Sequence, residues 1–203
     1  MKAPLIGISR HRLTTDGEGV TTLVAFHGCP LRCQYCLNSH CLRPDGVWRR
    51  LSADEILEQV VIDDLYFQAT NGGICFGGGE PLLRSDVISQ FCQQCPKEWN
   101  IYLETSLNVP LHHLQQVIPH ITHFYVDIKD LSPDIYRRYC SAGNTRVVAN
   151  LQHLADLQLQ SQVTVRLPLI PGYNTPADRQ CSRRQLEEMG FTLFDEFEYI
   201  IPK

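Results

Sequence analysis

The sequence predicts an α/β protein in which parallel strands are joined by crossover helices, as a partial β/α barrel or an open α/β sheet. Strand-like and helix-like segments alternate along the chain. Several helical segments carry their own start signals, a Ser or Thr followed by proline or by an acidic residue three positions on. Cys29, Glu80, Glu104, Asp127 and Pro168 fall at or just beyond the carboxyl ends of the expected strands, the rim where such folds gather ligands.

The elements follow in order. Thr21–Phe26 is β-branched and apolar and reads as a strand running into a cysteine-rich loop. Ser52, with Glu55 three residues on, forms a capping box that opens a helix whose apolar stripe is Ile56, Val60, Ile62 or Leu65, and Phe67. Gly73–Gly77 is a short buried strand, Asp86–Cys92 a helix, Ile101–Leu103 a strand. Leu111–Ile118 is a helix between two prolines, and Phe124–Ile128 a strand. Ser132-Pro133 caps and starts the next helix, because proline fits the first helical turn. Thr145–Leu157 is helical, Val163–Leu167 a strand, Thr175-Pro176 the start of a helix toward Met189, and Phe197–Ile201 the last strand. Right-handed crossovers between parallel strands curl such a sheet one way.

The chain has 203 residues, enough for one sizeable domain, and no repeat, low-complexity tract or linker divides it, so residues 1–203 read as a single domain. Hydrophobic residues make up 43% and charged residues 20%, an ordinary globular balance. A net charge of -4 gives no electrostatic argument for nucleic acid or an anionic membrane as partner. No apolar run approaches the length of a membrane span. The stretch after Met1 is broken by Pro4 and Gly7 and is too short for a secretory signal core. A cytoplasmic location is expected. Nine cysteines without such a signal point to reduced thiols, metal ligands or buried small apolar residues rather than disulfides.

The chemistry concentrates in Cys29-Pro30-Leu31-Arg32-Cys33-Gln34-Tyr35-Cys36. Thiolates spaced Cys-x3-Cys-x2-Cys can hold one face of a compact iron–sulfur cluster. No fourth cysteine follows at short spacing to close it, so one iron stays open to a substrate, as in a catalytic rather than a structural metal site. The alternative is a zinc site whose fourth ligand is His27, His40 or Cys41. Gly77-Gly78-Gly79-Glu80-Pro81 follows a strand directly; glycines there let a ligand approach the backbone, though such a run alone is more often a tight turn. Cys92 and Cys95 lack two further ligands and read as buried thiols, Cys75 as a strand core residue, and His112, His113, His120 and His123 as surface or cap residues.

The Cys29-x3-Cys33-x2-Cys36 run, with Tyr35 before its last cysteine, followed by Gly78-Gly79-Glu80-Pro81, resembles the radical S-adenosylmethionine (radical SAM) superfamily. Within it the chain is similar to the activating enzymes of glycyl radical enzymes, of the pyruvate formate-lyase-activating type. Asp16-Gly17-Glu18-Gly19, Phe26-His27-Gly28-Cys29, Leu103-Glu104-Thr105-Ser106, Val126-Asp127-Ile128-Lys129 and Val165–Gly172 share in the likeness, which runs from about Asp16 to the end. The resemblance implies a partial (β/α)6 barrel of the radical SAM type, without the C-terminal loop and helix that relatives carry. It implies that Cys29, Cys33 and Cys36 hold a [4Fe-4S] cluster whose unliganded iron chelates S-adenosylmethionine, and that one electron cleaves the sulfonium to methionine and a 5′-deoxyadenosyl radical. Gly78, Gly79 and Glu80 would bind the methionine amino group. Lys129 and Arg166 would meet the carboxylate or ribose. Asp127, with Glu104 and Thr105, would face the cofactor or a small monovalent cation. Tyr35 would lie near the adenine through its backbone.

The implied partners are a glycyl radical enzyme as protein substrate and a flavodoxin- or ferredoxin-type electron donor. Three departures from the branch stand out. Val20-Thr21 stands where an arginine is usual, Glu104 where an aspartate is usual, and Ser106-Leu107-Asn108 where a glycine-containing turn is usual. Only Cys41 lies between Cys36 and Leu51, so no ferredoxin-like insert is present there. Rival readings are a radical SAM enzyme acting on a small molecule, of the deazaguanine-synthase type, an anaerobic ribonucleotide reductase activator, and a non-catalytic iron–sulfur or zinc subunit.

Overall fold

The computed structural model describes residues 1–13 and 15–200. The strands are β1 (Ala3–Leu13), β2 (Val20–Phe26), β3 (Arg49–Leu51), β4 (Gly73–Gly78), β5 (Asn100–Thr105), β6 (His123–Asp127), β7 (Val163–Leu169) and β8 (Leu193–Glu198). The helices are α1 (Ala53–Val60), α2 (Asp64–Thr70), α3 (Ser85–Gln94), α4 (Leu111–Val117), α5 (Pro133–Cys140), α6 (Thr145–Asp156) and α7 (Pro176–Glu188). The chain forms two compact units. One comprises Met1–Cys29, Asn38–Thr105 and His112–Phe124; the other comprises Pro30–Leu37, Ser106–Leu111 and the chain from Tyr125 on.

In the first unit the strand order is β3-β1-β2-β4-β5, with the start of β6 next. β2, β4 and β5 run parallel, as the alternating pattern predicts. β1 is antiparallel to both β2 and β3, which corrects the expectation of parallel strands throughout. The physical reason is the short link between β1 and β2, which permits a hairpin but no crossover helix. β1 escapes pattern reading because its register shifts between Ser9 and Arg12, where His11 takes a left-handed φ of 54°. The register that matters most is Thr21↔Gly73 through Phe26↔Gly78. It lays the end of β2, just before Cys29, beside the glycine run that ends β4.

Packing on this sheet is aromatic. Phe76 sits between Phe26 (5.9 Å, stacked) and Phe91 (5.3 Å, edge-on). The Ser52–Glu55 capping box forms as expected. Ile56, Val60 and Phe67 are buried, but Ile62 and Leu65 are exposed, because the helix breaks into a tight turn at 61–63 and restarts as α2 in a new phase. Of the histidines expected as surface or cap residues, His112 is exposed, while two others join elements: His113 Nδ1 lies 2.9 Å from Ser85 Oγ, and His120 Nε2 lies 3.2 Å from Ser89 Oγ.

In the second unit the order is β6-β7-β8, with β7 and β8 parallel. The last strand covers residues 193–198 rather than 197–201, and Ile201 lies outside the described residues. Thr175 and Asp178 cap α7 reciprocally. Ser132 caps α5 by position only; its N–H donates to Asp130 Oδ1 (2.8 Å), and its hydroxyl makes no cap bond. No helix among the described residues is long and apolar enough to cross a membrane.

Candidate active site

In the first unit the site begins where β2 runs out at Phe26. Gly79 N–H donates to Phe26 O (2.8 Å) and Glu80 N–H to Gly28 O (2.8 Å), so the glycine run and the root of the cysteine loop hold each other by backbone bonds. This close approach explains the glycines. A Cβ on Gly79 would lie 2.2 Å from Gly28 O, and Gly78 has φ +99° with Phe26 N 2.8 Å from a would-be Cβ. Asn38, just after the loop, donates from Nδ2 to Gly78 O (3.1 Å).

Glu80 is buried and accepts from Thr105 Oγ1 (2.6 Å) and from Leu82 N–H (3.2 Å), ending β4 and starting the next turn. Thr105 is buried beside it at the end of β5, and Glu104 Oε2 is 2.9 Å from where a Gly77 Cβ would stand. The first unit therefore gathers Gly78, Gly79, Glu80, Glu104 and Thr105 at neighbouring strand ends. Upstream of the lead-in segment, Arg12 forms a bidentate pair with buried Asp16, with Nη2 to Oδ1 at 2.9 Å. That hydrogen bond first, and the charges of Asp16 and Glu104 after it, raise the guanidinium pKa despite burial.

In the second unit the loop 30–37 is tied to the end of α5. Arg32 N–H donates to Cys140 O (2.9 Å) and Gln34 N–H to Tyr139 O (3.2 Å). Cys33 Sγ lies 3.9 Å from Cys140 Sγ, and this contact lowers the Cys33 thiol pKa while it and burial push Cys140 up. Lys129 stands near. Its Nζ donates to Tyr199 Oη (3.1 Å) and lies 3.7 Å from Asp127 Oδ2. Burial works against the ammonium, but the charges of Asp127, Tyr199 and Cys33 outweigh it and hold Lys129 well above its ordinary pKa. Arg166 stacks on Tyr125 (4.7 Å to the ring centre) with Asp195 Oδ2 3.7 Å from Nε. Tyr35 packs into a tyrosine cluster, 6.0 Å from Tyr139 and 5.7 Å from Tyr173. The second unit thus brings together Cys33, Asp127, Lys129 and Tyr35.

The turn Ser106-Leu107-Asn108 does without its usual glycine at a visible expense. Leu107 takes φ 57° and is buried, and Asn150 Nδ2 clamps the carbonyls of Leu107 (2.8 Å) and Val109 (2.9 Å). Asn108 Nδ2 donates to Tyr136 Oη (3.1 Å) and Gly143 O (2.8 Å). Asn38, Cys140, Asn150 and Tyr199 were invisible to pattern reading, because each acts on a partner far along the chain and none sits in a spaced motif; Arg12, only four residues from Asp16, lies in an irregular strand that gave no pattern.

The donor set suits an iron–sulfur cluster. Cys29, Cys33 and Cys36 are partly exposed in chain that forms neither helix nor strand, whereas Cys41, Cys75, Cys92, Cys95 and Cys140 are buried. Burial raises the Cys92 thiol to about 12, which makes it a poor ligand. Among the described residues no three His, Cys, Asp or Glu side chains are drawn together at metal-ligand separations. Cys33 faces Cys140 instead.

The radical SAM superfamily pattern matches residues 23–176. The chain is 31% identical to the (2S)-3-sulfopropanediol dehydratase activating enzyme of Klebsiella oxytoca, over 78% of this chain and 69% of that enzyme. It is 29% identical to pyruvate formate-lyase 2-activating enzyme of Escherichia coli K12, over 84% of this chain and 68% of that enzyme. Among solved structures, Streptococcus suis SuiB bound to S-adenosylmethionine superposes with a TM-score of 0.65 at 11% identity, covering 89% of this chain and 43% of SuiB, a likeness of fold. The chain belongs to the radical SAM superfamily of enzymes. The relatives it matches along most of its length include activating enzymes of the pyruvate formate-lyase kind.

Proposed function

We propose that this chain cleaves S-adenosylmethionine reductively at a [4Fe-4S] cluster and installs a glycyl radical on a partner glycyl radical enzyme. The observation that carries the reading is the likeness to activating enzymes, which spans most of both chains. Cluster and S-adenosylmethionine, once bound and given an electron, supply a hydrogen-abstracting deoxyadenosyl radical, so the protein's task is binding, aiming and exclusion.

Cys29, Cys33 and Cys36 hold the cluster. The backbone at Gly78 and Gly79, with Glu80, binds the amino group of the methionine moiety; Thr105 fixes Glu80 so that the glycine run keeps its conformation. Lys129 meets the carboxylate or ribose as a cation, and Asp127 and Tyr199 keep it protonated and pointed. Arg166 offers a planar fork to the same groups. Asp127, Glu104 and Thr105 face the cofactor or a monovalent cation, and Tyr35 lies by the adenine. A flavodoxin- or ferredoxin-type protein delivers the electron in the cytoplasm, and residues 1–203 act as one catalytic domain.

The test is electron spin resonance on a glycyl radical enzyme mixed anaerobically with the reconstituted chain, S-adenosylmethionine and dithionite. A glycyl doublet on the partner is the expected result. Cleavage of S-adenosylmethionine with no such signal on any candidate partner would overturn the assignment of substrate while leaving the superfamily chemistry intact.

A further inference from the structure

Cys140 has no part in the reading above. It is the last residue of α5, fully buried, and its Sγ stands 3.9 Å from that of Cys33. Two backbone bonds set this proximity, one on each side of Cys33: Arg32 N–H to Cys140 O and Gln34 N–H to Tyr139 O. The pair is therefore built into the chain path and does not depend on one flexible side chain. The two thiols also differ in access, since Cys33 is partly exposed and Cys140 is not.

We propose that Cys33 and Cys140 form a reversible disulfide in the cluster-free chain, with Cys140 as the resolving thiol. The oxidant is a peroxide. Cys33 sulfur attacks one peroxide oxygen, the O–O bond breaks, and a sulfenic acid and one water result. Cys140 sulfur then attacks Cys33 sulfur, the S–O bond breaks, and a second water leaves. Two thiols lose two electrons and two protons, and hydrogen peroxide is reduced to two waters. A contraction from 3.9 Å to a bond of about 2.05 Å completes the bridge.

The consequence rests on Cys33 being a cluster ligand. The disulfide takes that ligand out of use, so oxidised chain cannot load iron. It also shields the thiol from the irreversible sulfinic and sulfonic states, and a dithiol reductant restores it.

The experiment uses the full chain, purified without cluster. It is treated with hydrogen peroxide, alkylated, digested and mapped by mass spectrometry. The expected result is a Cys33–Cys140 cross-linked peptide as the main new species, with loss of iron and sulfide uptake on reconstitution and recovery after dithiothreitol. In Cys140→Ser the cross-link is absent, and peroxide drives Cys33 to sulfinic acid that dithiothreitol does not reverse. Pairing of Cys33 with Cys29 or Cys36, or recovery of Cys140 fully alkylated, would overturn the proposal. The wild-type map alone decides the matter if the variant folds poorly. None of these readouts involves S-adenosylmethionine or a partner enzyme, so failure here is distinct from failure of the proposed function.

Discussion

Thr105 and Glu80 show how a single hydrogen bond can hold a buried carboxylate at the end of a strand. Glu80 is a buried carboxylate, and the Thr105 hydroxyl is one of its donors at 2.6 Å. Thr105→Val keeps the shape and removes the donor, so it should lower stability by about 1–3 kcal/mol, read from urea unfolding. If the proposed role of Gly78 and Gly79 holds, the same variant also weakens S-adenosylmethionine binding. An unchanged urea midpoint would count against the bond. Gly79→Ala should cost about as much or more, roughly 1–3 kcal/mol, because its methyl meets the Gly28 carbonyl at 2.2 Å, backbone that cannot rotate away. The sequence made the glycine run legible as a special backbone site. It could not tell that the atoms crowding Gly78 and Gly79 belong to residues 25–28 of the same chain, since that contact comes from strand register. Leu107 was legible only as a departure; the clamp from Asn150 that tolerates its left-handed backbone lies 43 residues away.

At the scale of elements, local signals were good guides where they act locally. The Ser52–Glu55 capping box forms, and the helix expected from Thr175-Pro176 starts at Pro176, because these signals act within four residues, whereas the Ser132 hydroxyl makes no cap bond. Ser52→Ala should destabilise the first unit by about 1 kcal/mol, measured by thermal unfolding, as expected for loss of a cap hydroxyl. No shift would mean that the box is ornamental in solution. β1, β3 and β8 were harder to read. β3 is only three residues long. β1 carries a register shift and a second half that alternates between exposed and half-buried. β8 has no fully buried residue, so the apolar run just after it attracted the assignment. The central strands β4, β5, β6 and β7 were legible because their apolar content follows from burial.

Across the whole molecule, charge and burial set a pH response. Burial lowers the pKa of His123 below the ordinary 6.5, and burial, with the neighbouring His112 charge, does the same for His113. The unfolded chain then binds protons at pH values where the folded one does not, so stability falls as pH drops through about 6.5. The fall in melting temperature from neutral to mildly acid pH should be shallower in His123→Gln than in the wild type. Equal slopes would mean that His123 titrates normally in the fold.

The family was legible in two short motifs read together, Cys29 to Cys36 and Gly78 to Pro81, since the cysteine run alone also admits a zinc site. Which partners the flanking residues meet needed coordinates. The account stands on those thiols holding a cluster with a vacant iron. Its most direct test is 5′-deoxyadenosine release from S-adenosylmethionine under dithionite, measured on the iron- and sulfide-reconstituted chain and on a variant with Cys29, Cys33 and Cys36 all changed to alanine. The wild type should release it and the variant should stay at the level of buffer; release by the variant at the wild-type rate would contradict the account.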